Sequence, residues 1–265
     1  MDDLPDVSAL VITLLLVGLL LVLGEMARAL LMGEMITLRR PRRPLVVERH
    51  VAWLAVVFLL LFVAPAVVGP ALGHRAREVD PDTSVVFSII MSCVIIGAVI
   101  PLLVVTGKNR LADYGIDMQG WRAEVRFGGL GYLVAIPLVM AVLVAMTSWR
   151  GPETEHPYLK LVESGNKSAI IGVAFAAVVA APLTEELIFR VVLQGLLESL
   201  ARPWAAILLP AVAFAAMHGI YDALPLLPLA IVLGIVYHVR RSYVAVVTIH
   251  AMFNATFLLI KLATG

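Results

Sequence analysis

The sequence predicts an all-α membrane protein, a polytopic bundle of about eight transmembrane helices enclosing a polar intramembrane cavity. Three observations predict it. Apolar residues make up 61% of the chain, charged residues 15%, and the mean hydropathy is +0.98, outside the range of soluble domains. Apolar runs long enough to cross a hydrocarbon core of about 30 Å recur from one end of the chain to the other. One of those runs keeps three ionisable side chains at its centre, where each costs about 2.5–3.5 kcal/mol even on the low estimates.

The elements follow in chain order. Runs at Val7 to Leu23, Val51 to Leu72, Val85 to Val105 and Phe127 to Met146 form an N-terminal membrane region within residues 1–147. An extramembrane loop covers 148–167, and a second membrane region over 168–262 holds runs at Ser168 to Leu200, Trp204 to His218, Leu224 to Tyr237 and Val244 to Leu262. Together they make one integral membrane unit. Ahead of the first run stand Asp2, Asp3 and Asp6 rather than a basic segment, and no small-residue cleavage site follows it, so the first span is expected to be retained. Pro182, Pro210, Pro225 and Pro228 lie in or beside the later spans and predict kinks or breaks there. Gly128, Gly129 and Gly131 form no phosphate-binding pattern and predict close helix packing.

Loop charge sets the expected orientation, because Lys and Arg are retained on the cytoplasmic side. Arg28, Arg39, Arg40, Arg42, Arg43 and Arg49 cluster between the first two runs. With that loop inside, alternation also places Lys108, Arg110, Arg122, Arg126, Arg202, Arg240 and Arg241 inside and both termini outside. The Arg39 to Arg43 cluster could also contact anionic lipid, but a plain topology signal is the favoured reading. A net charge of +1 leaves no basic face for nucleic acid, and the single cysteine, Cys93, excludes a disulfide framework and reads as inert packing. The lipid bilayer is therefore the first partner. His238, beside Arg240 and Arg241, reads as a snorkelling side chain. His74 and His156 fall in external loops, and His50 borders the first cytoplasmic loop.

Chemistry concentrates in three segments. Thr184-Glu185-Glu186-Leu187-Ile188-Phe189-Arg190 places Glu186 and Arg190 four apart on one helical face, in the favourable acid-before-base order, as a structural ion pair. Glu185 points about 100° away and is left to face the bundle interior as the chemical carboxylate. Phe214-Ala215-Ala216-Met217-His218 sets an imidazole one turn after an aromatic ring, and His250-Ala251-Met252-Phe253-Asn254 sets an imidazole and an amide on one face of the last span. Phe189 and Phe214 are read as packing against the site, with a share in lining a groove. One carboxylate, two imidazoles and an amide on three spans are the parts needed to activate water and hold an oxyanion.

These three segments resemble the EExxxR, FxxxH and HxxxN motifs of the CAAX protease and bacteriocin-processing family, which includes the Ras-converting CaaX endopeptidase and the abortive-infection proteins. The resemblance runs from Ser168 to Leu262; the first half is similar only as membrane spans. It implies an eight-helix intramembrane endopeptidase in a prokaryotic plasma membrane, with its site opening toward the cytoplasm. It further implies that Glu185 and His218 activate the water, that His250 and Asn254 hold the oxyanion, and that Glu186, Arg190 and Phe214 support them. The substrate would be a membrane-associated peptide or protein, such as a prenylated tail or a leader peptide.

A metal-free mechanism needs no cofactor beyond water. The alternative is zinc held by Glu185, His218 and His250 with an open fourth position, although HExxH is absent. Two other functions compete: a catalytically silent membrane partner or immunity protein, and a proton-coupled transporter using the same groups as a relay. The lack of an evident inverted repeat weighs against the transporter.

Overall fold

The computed structural model describes residues 45–46, 48–64, 68, 81–146 and 167–264, and every regular element among them is helical. Seven apolar helices result: α1 (Arg49–Val63), α2 (Pro81–Val104), α3 (Trp121–Ala145), α4 (Lys167–Leu200), α5 (Pro203–Met217), α6 (Ile220–Arg240) and α7 (Tyr243–Thr264). Five of them are long and apolar enough to span a bilayer, while α1 and α5 are shorter. The first expected span, the Arg28 to Arg43 loop residues, His74 and His156 lie outside the described residues.

Helix ends correct the expected runs. Helix α3 starts at Trp121, six residues ahead of the apolar run, because Gly120 at φ 72° turns the chain and Glu124 finds a buried partner. The breaks expected at Pro210, Pro225 and Pro228 do not occur, since α5 and α6 run through these prolines as continuous helix. Pro225 and Pro228 are the sixth and ninth residues of α6, past its four free N–H groups, so each removes one ladder hydrogen bond without ending the helix.

Packing of α3 against α6 and α7 rests on small residues. A methyl group at Gly128 would stand 2.6 Å from the Ala245 carbonyl oxygen, and one at Gly131 would stand 2.6 Å from Ile249 Cδ1. Gly129 has nothing within 4 Å, so only two of the three expected glycines serve close packing. Cys93 is exposed on the flank of α2 rather than packed in the core.

One end of the bundle carries eight described basic residues, Arg49, Lys108, Arg110, Arg122, Arg126, Arg202, Arg240 and Arg241. Buried carboxylates knit this face together. Arg240 Nη2 donates to Glu124 Oε1 at 2.6 Å, with its guanidinium 4.8 Å from the Phe127 ring centre. Arg241 Nη2 lies 2.5 Å from Glu198 Oε2, and His238 Nδ1 lies 3.0 Å from Glu198 Oε1. His238 therefore does not snorkel; a carboxylate on α4 anchors it. The Tyr237 hydroxyl donates to the Tyr114 carbonyl at 2.7 Å, and the Tyr243 N–H donates to the Gly115 carbonyl at 3.0 Å. Gly115, at φ 84°, approaches the Arg241 carbonyl so closely that a Cβ would sit 2.2 Å from its oxygen. Asn109 joins α1 to α2, donating to Glu48 Oε1 at 3.1 Å, and His50 Nε2 donates to the Leu102 carbonyl at 2.8 Å.

Candidate active site

Helix α4 is not uniform, and its irregularity aims the site. Ordinary α-helix over Lys167–Phe175 gives way to a π-helical turn over Ala176–Ala180, to α-helix over Ala181–Glu186, and to a second π-helical stretch over Leu187–Gln194. Residues four apart in an α-helix drift about 40° around the axis per step. A π turn, with its wider i→i+5 ring, turns through fewer degrees per residue and offsets that drift. The row Val173, Ala177, Ala181 and Glu185 consequently lines one cavity.

The π turn and Pro182, which has no N–H, leave the Ala177 carbonyl without a backbone donor. Asn254 Nδ2 of α7 donates to the Ala177 carbonyl at 2.7 Å, and the Tyr243 hydroxyl donates to the Leu183 carbonyl at 2.5 Å. The Thr184 hydroxyl returns to the Ala180 carbonyl at 2.9 Å. Helix α7 is thereby pinned to the stretch of α4 that leads into Glu185.

Glu186 and Arg190 form the expected ion pair, with Nε to Oε2 at 3.0 Å and both side chains wholly buried. The other oxygen of Glu186 accepts from His250 Nδ1 at 2.9 Å. A carboxylate accepts, so the Nδ1 proton of His250 is committed to Glu186 and its Nε2 is turned toward the cavity. At His218 the carbonyl of Phe214 plays the same part, taking the Nδ1 proton at 2.8 Å and leaving Nε2 facing inward. Arg190 Nη1 and Nη2 have no hydrogen-bond partner, and the guanidinium instead lies 5.3 Å from the Phe214 ring centre.

Between the two imidazoles stands Glu185. Its Oε2 is 3.9 Å from His218 Nε2 and 3.9 Å from His250 Nε2, and it has no hydrogen-bond partner. A gap of 3.9 Å is beyond a direct hydrogen bond, and it leaves these polar atoms turned toward the cavity with their partners still to be supplied. The cavity holds about 270 Å³ and is lined by Glu185, His218, His250 and Asn254 together with apolar side chains from α4, α5, α6 and α7. Glu185 and His218 are about a quarter exposed, whereas His250 is 4% exposed.

The structure thus brings Glu185, His218, His250 and Asn254 to one cavity, with Phe214 in its wall and Glu186 and Arg190 directly behind. Phe189 is different: it is wholly buried, edge-on between Phe58 and Phe214, and lines no part of the cavity. Ala177 and Tyr243 had no sequence signal, since a backbone carbonyl leaves none and a tyrosine at a helix start is common.

The donor types suit zinc, but their spacing does not. A tetrahedron with bonds of about 2.0–2.1 Å has edges of about 3.4 Å, so each imidazole would have to close on Glu185 by about 0.5 Å to share an ion. Among the described residues no group of three His, Cys, Asp or Glu side chains has metal-binding geometry.

Comparison with known families adds one finding. Residues 167–256 match the family model described as type II CAAX prenyl endopeptidase Rce1-like. The matched region contains all three motif segments, and this is the family that those segments resemble. No curated protein and no solved structure matches the chain significantly.

Proposed function

Starting from an Rce1-like domain at residues 167–256, we propose that the chain is an intramembrane endopeptidase that hydrolyses a peptide bond in a membrane-associated substrate without a metal. The observation that carries this reading is Glu185 Oε2, unpartnered and equidistant at 3.9 Å from two imidazole nitrogens in a cavity of about 270 Å³.

The chemistry follows from the groups in place. A water bridging Glu185 and His218 gives one proton to the Glu185 carboxylate as its oxygen adds to the scissile carbonyl carbon. The carbonyl electron pair moves onto oxygen, and the second Nδ2 proton of Asn254, the one not given to Ala177, is available to that oxyanion. His250 can donate from Nε2 only when doubly protonated, because its Nδ1 proton is bound to Glu186. Collapse of the intermediate breaks the C–N bond as Glu185 returns its proton to the leaving nitrogen. Glu186 and Arg190 touch no substrate in this scheme; they hold His250 in its tautomer and position.

Purified full-length protein, with Glu185→Ala and His218→Ala as controls, tests the reading on a quenched lipidated peptide with and without chelator. Cleavage by the wild type alone, unchanged by chelator, is expected. Loss on chelation with rescue by zinc would replace the metal-free scheme, and equal inertness of wild type and variants would remove the protease reading.

A further inference from the structure

The arginine-rich end of the bundle and the open end of the cavity are opposite ends. Eight described Lys and Arg residues lie at the end where α3, α5 and α7 begin and α2, α4 and α6 finish; among the described residues, apart from Arg190 in the core, only Lys167 and Lys261 remain, at the other end. His218 follows Pro203 by fifteen residues, and Glu185 precedes Leu200 by fifteen. At 1.5 Å per residue each is roughly 20 Å from the basic end, past the midplane of a hydrocarbon layer about 30 Å thick.

Burial agrees with the counting. Toward the basic end the site is plugged by Phe189, Arg190, Gln194, Leu233, Tyr237 and Ile249, each 0% exposed. Toward the other end lie the quarter-exposed Glu185 and His218 and the cavity walls Val173, Ala177, Leu226 and Phe257. Lys and Arg are retained on the cytoplasmic side of a membrane. A basic end inside and a site open to the inside therefore cannot both hold.

We infer that the site opens to the extracytoplasmic side, opposite to the cytoplasmic opening that the family resemblance implies, and that its substrate is a peptide anchored in the outer leaflet of that membrane. The scissile bond would lie roughly 10 Å below the surface, given a layer of about 30 Å. Among the described residues no charged side chain other than Glu185 and the histidines lines the cavity, so the segment it accepts is apolar, with room for its side chains over Ala177 and Ala181. The substrate class rests on the protease reading; the sidedness does not.

The test uses the full chain in a Cys93→Ser background, with a membrane-impermeant maleimide applied to intact bacterial cells. Met118→Cys, in the exposed α2–α3 loop at the basic end, is expected to react only after permeabilisation. Ala263→Cys at the far end and Leu226→Cys in the cavity wall are expected to react in intact cells. Reaction of Met118→Cys in intact cells, or protection of Leu226→Cys where Ala263→Cys reacts, overturns the inference. In proteoliposomes, a quenched peptide confined to the outer leaflet should be cleaved at least tenfold faster by preparations enriched in molecules with the Ala263 end outward. The opposite preference also overturns it. A wild type no better than Glu185→Ala in detergent removes the protease reading instead, and the labelling still decides the sidedness.

Discussion

His250 and Glu186 lie 64 positions apart on different helices, yet Nδ1 and Oε1 are 2.9 Å apart while the other Glu186 oxygen holds Arg190. One carboxylate thus joins the fold's most buried cation to an imidazole of the cavity.

Replacing Glu186 by Gln leaves Arg190 buried without a counter-charge, so the protein is expected to lose about 3–5 kcal/mol of stability as well as cleavage activity. Adding Arg190→Met should recover much of the thermal midpoint without recovering activity, because His250 still lacks its acceptor. Unfolding in detergent and turnover of a lipidated peptide, measured side by side, check this.

Glu185 should behave in the opposite way. Its Oε2 has no hydrogen bond to lose, so Glu185→Gln is expected to leave the thermal midpoint unchanged or raised while abolishing cleavage. A Glu185→Gln protein that unfolds much earlier than wild type would place the carboxylate in the structural network.

Asn254 joins an oxyanion donor to a structural tie. Asn254→Ala is expected to lower kcat by about 100–1000-fold, the loss seen when one oxyanion donor is removed, with KM nearly unchanged. Equal falls in binding and turnover would instead point to the lost bond with the Ala177 carbonyl.

Two neighbouring glycines give a control on packing. Gly128→Ala drives a methyl to 2.6 Å from the Ala245 carbonyl oxygen, and the expected cost is about 1–3 kcal/mol. Gly129→Ala meets nothing within 4 Å and should be neutral or stabilising by up to about 1 kcal/mol through helix propensity. Thermal unfolding of the two variants in one detergent separates them.

Much of this was legible in the amino-acid pattern because membrane burial makes exceptions conspicuous. Glu185, Glu186 and Arg190 interrupt an apolar helix, and their four-residue phase alone separates the ion pair from the free carboxylate. His218, His250 and Asn254 stand out for the same reason. What stayed hidden depends on backbone geometry or on contacts between distant helices. Nothing local marks Ala177 as the acceptor for Asn254, Glu198 as the anchor of His238, or Gly129 as the one among Gly128, Gly129 and Gly131 that faces open space. Phe189 and Phe214 are equivalent as letters, and only their place relative to Phe58 and the cavity distinguishes them.

The widened turn at Ala176–Ala180 has a consequence for how such a chain can change. Removing one residue there would restore ordinary helix at no cost in hydropathy and leave all three motifs intact. The Lys167 side would keep nearly the same phase relative to Glu185, since an α turn with one residue fewer covers almost the same rotation as the π turn it replaces. A deletion in a regular stretch of α4 would instead rotate one flank by about 100° and carry Val173 away from Glu185. A widened turn is where the count of residues can change while the face stays in register.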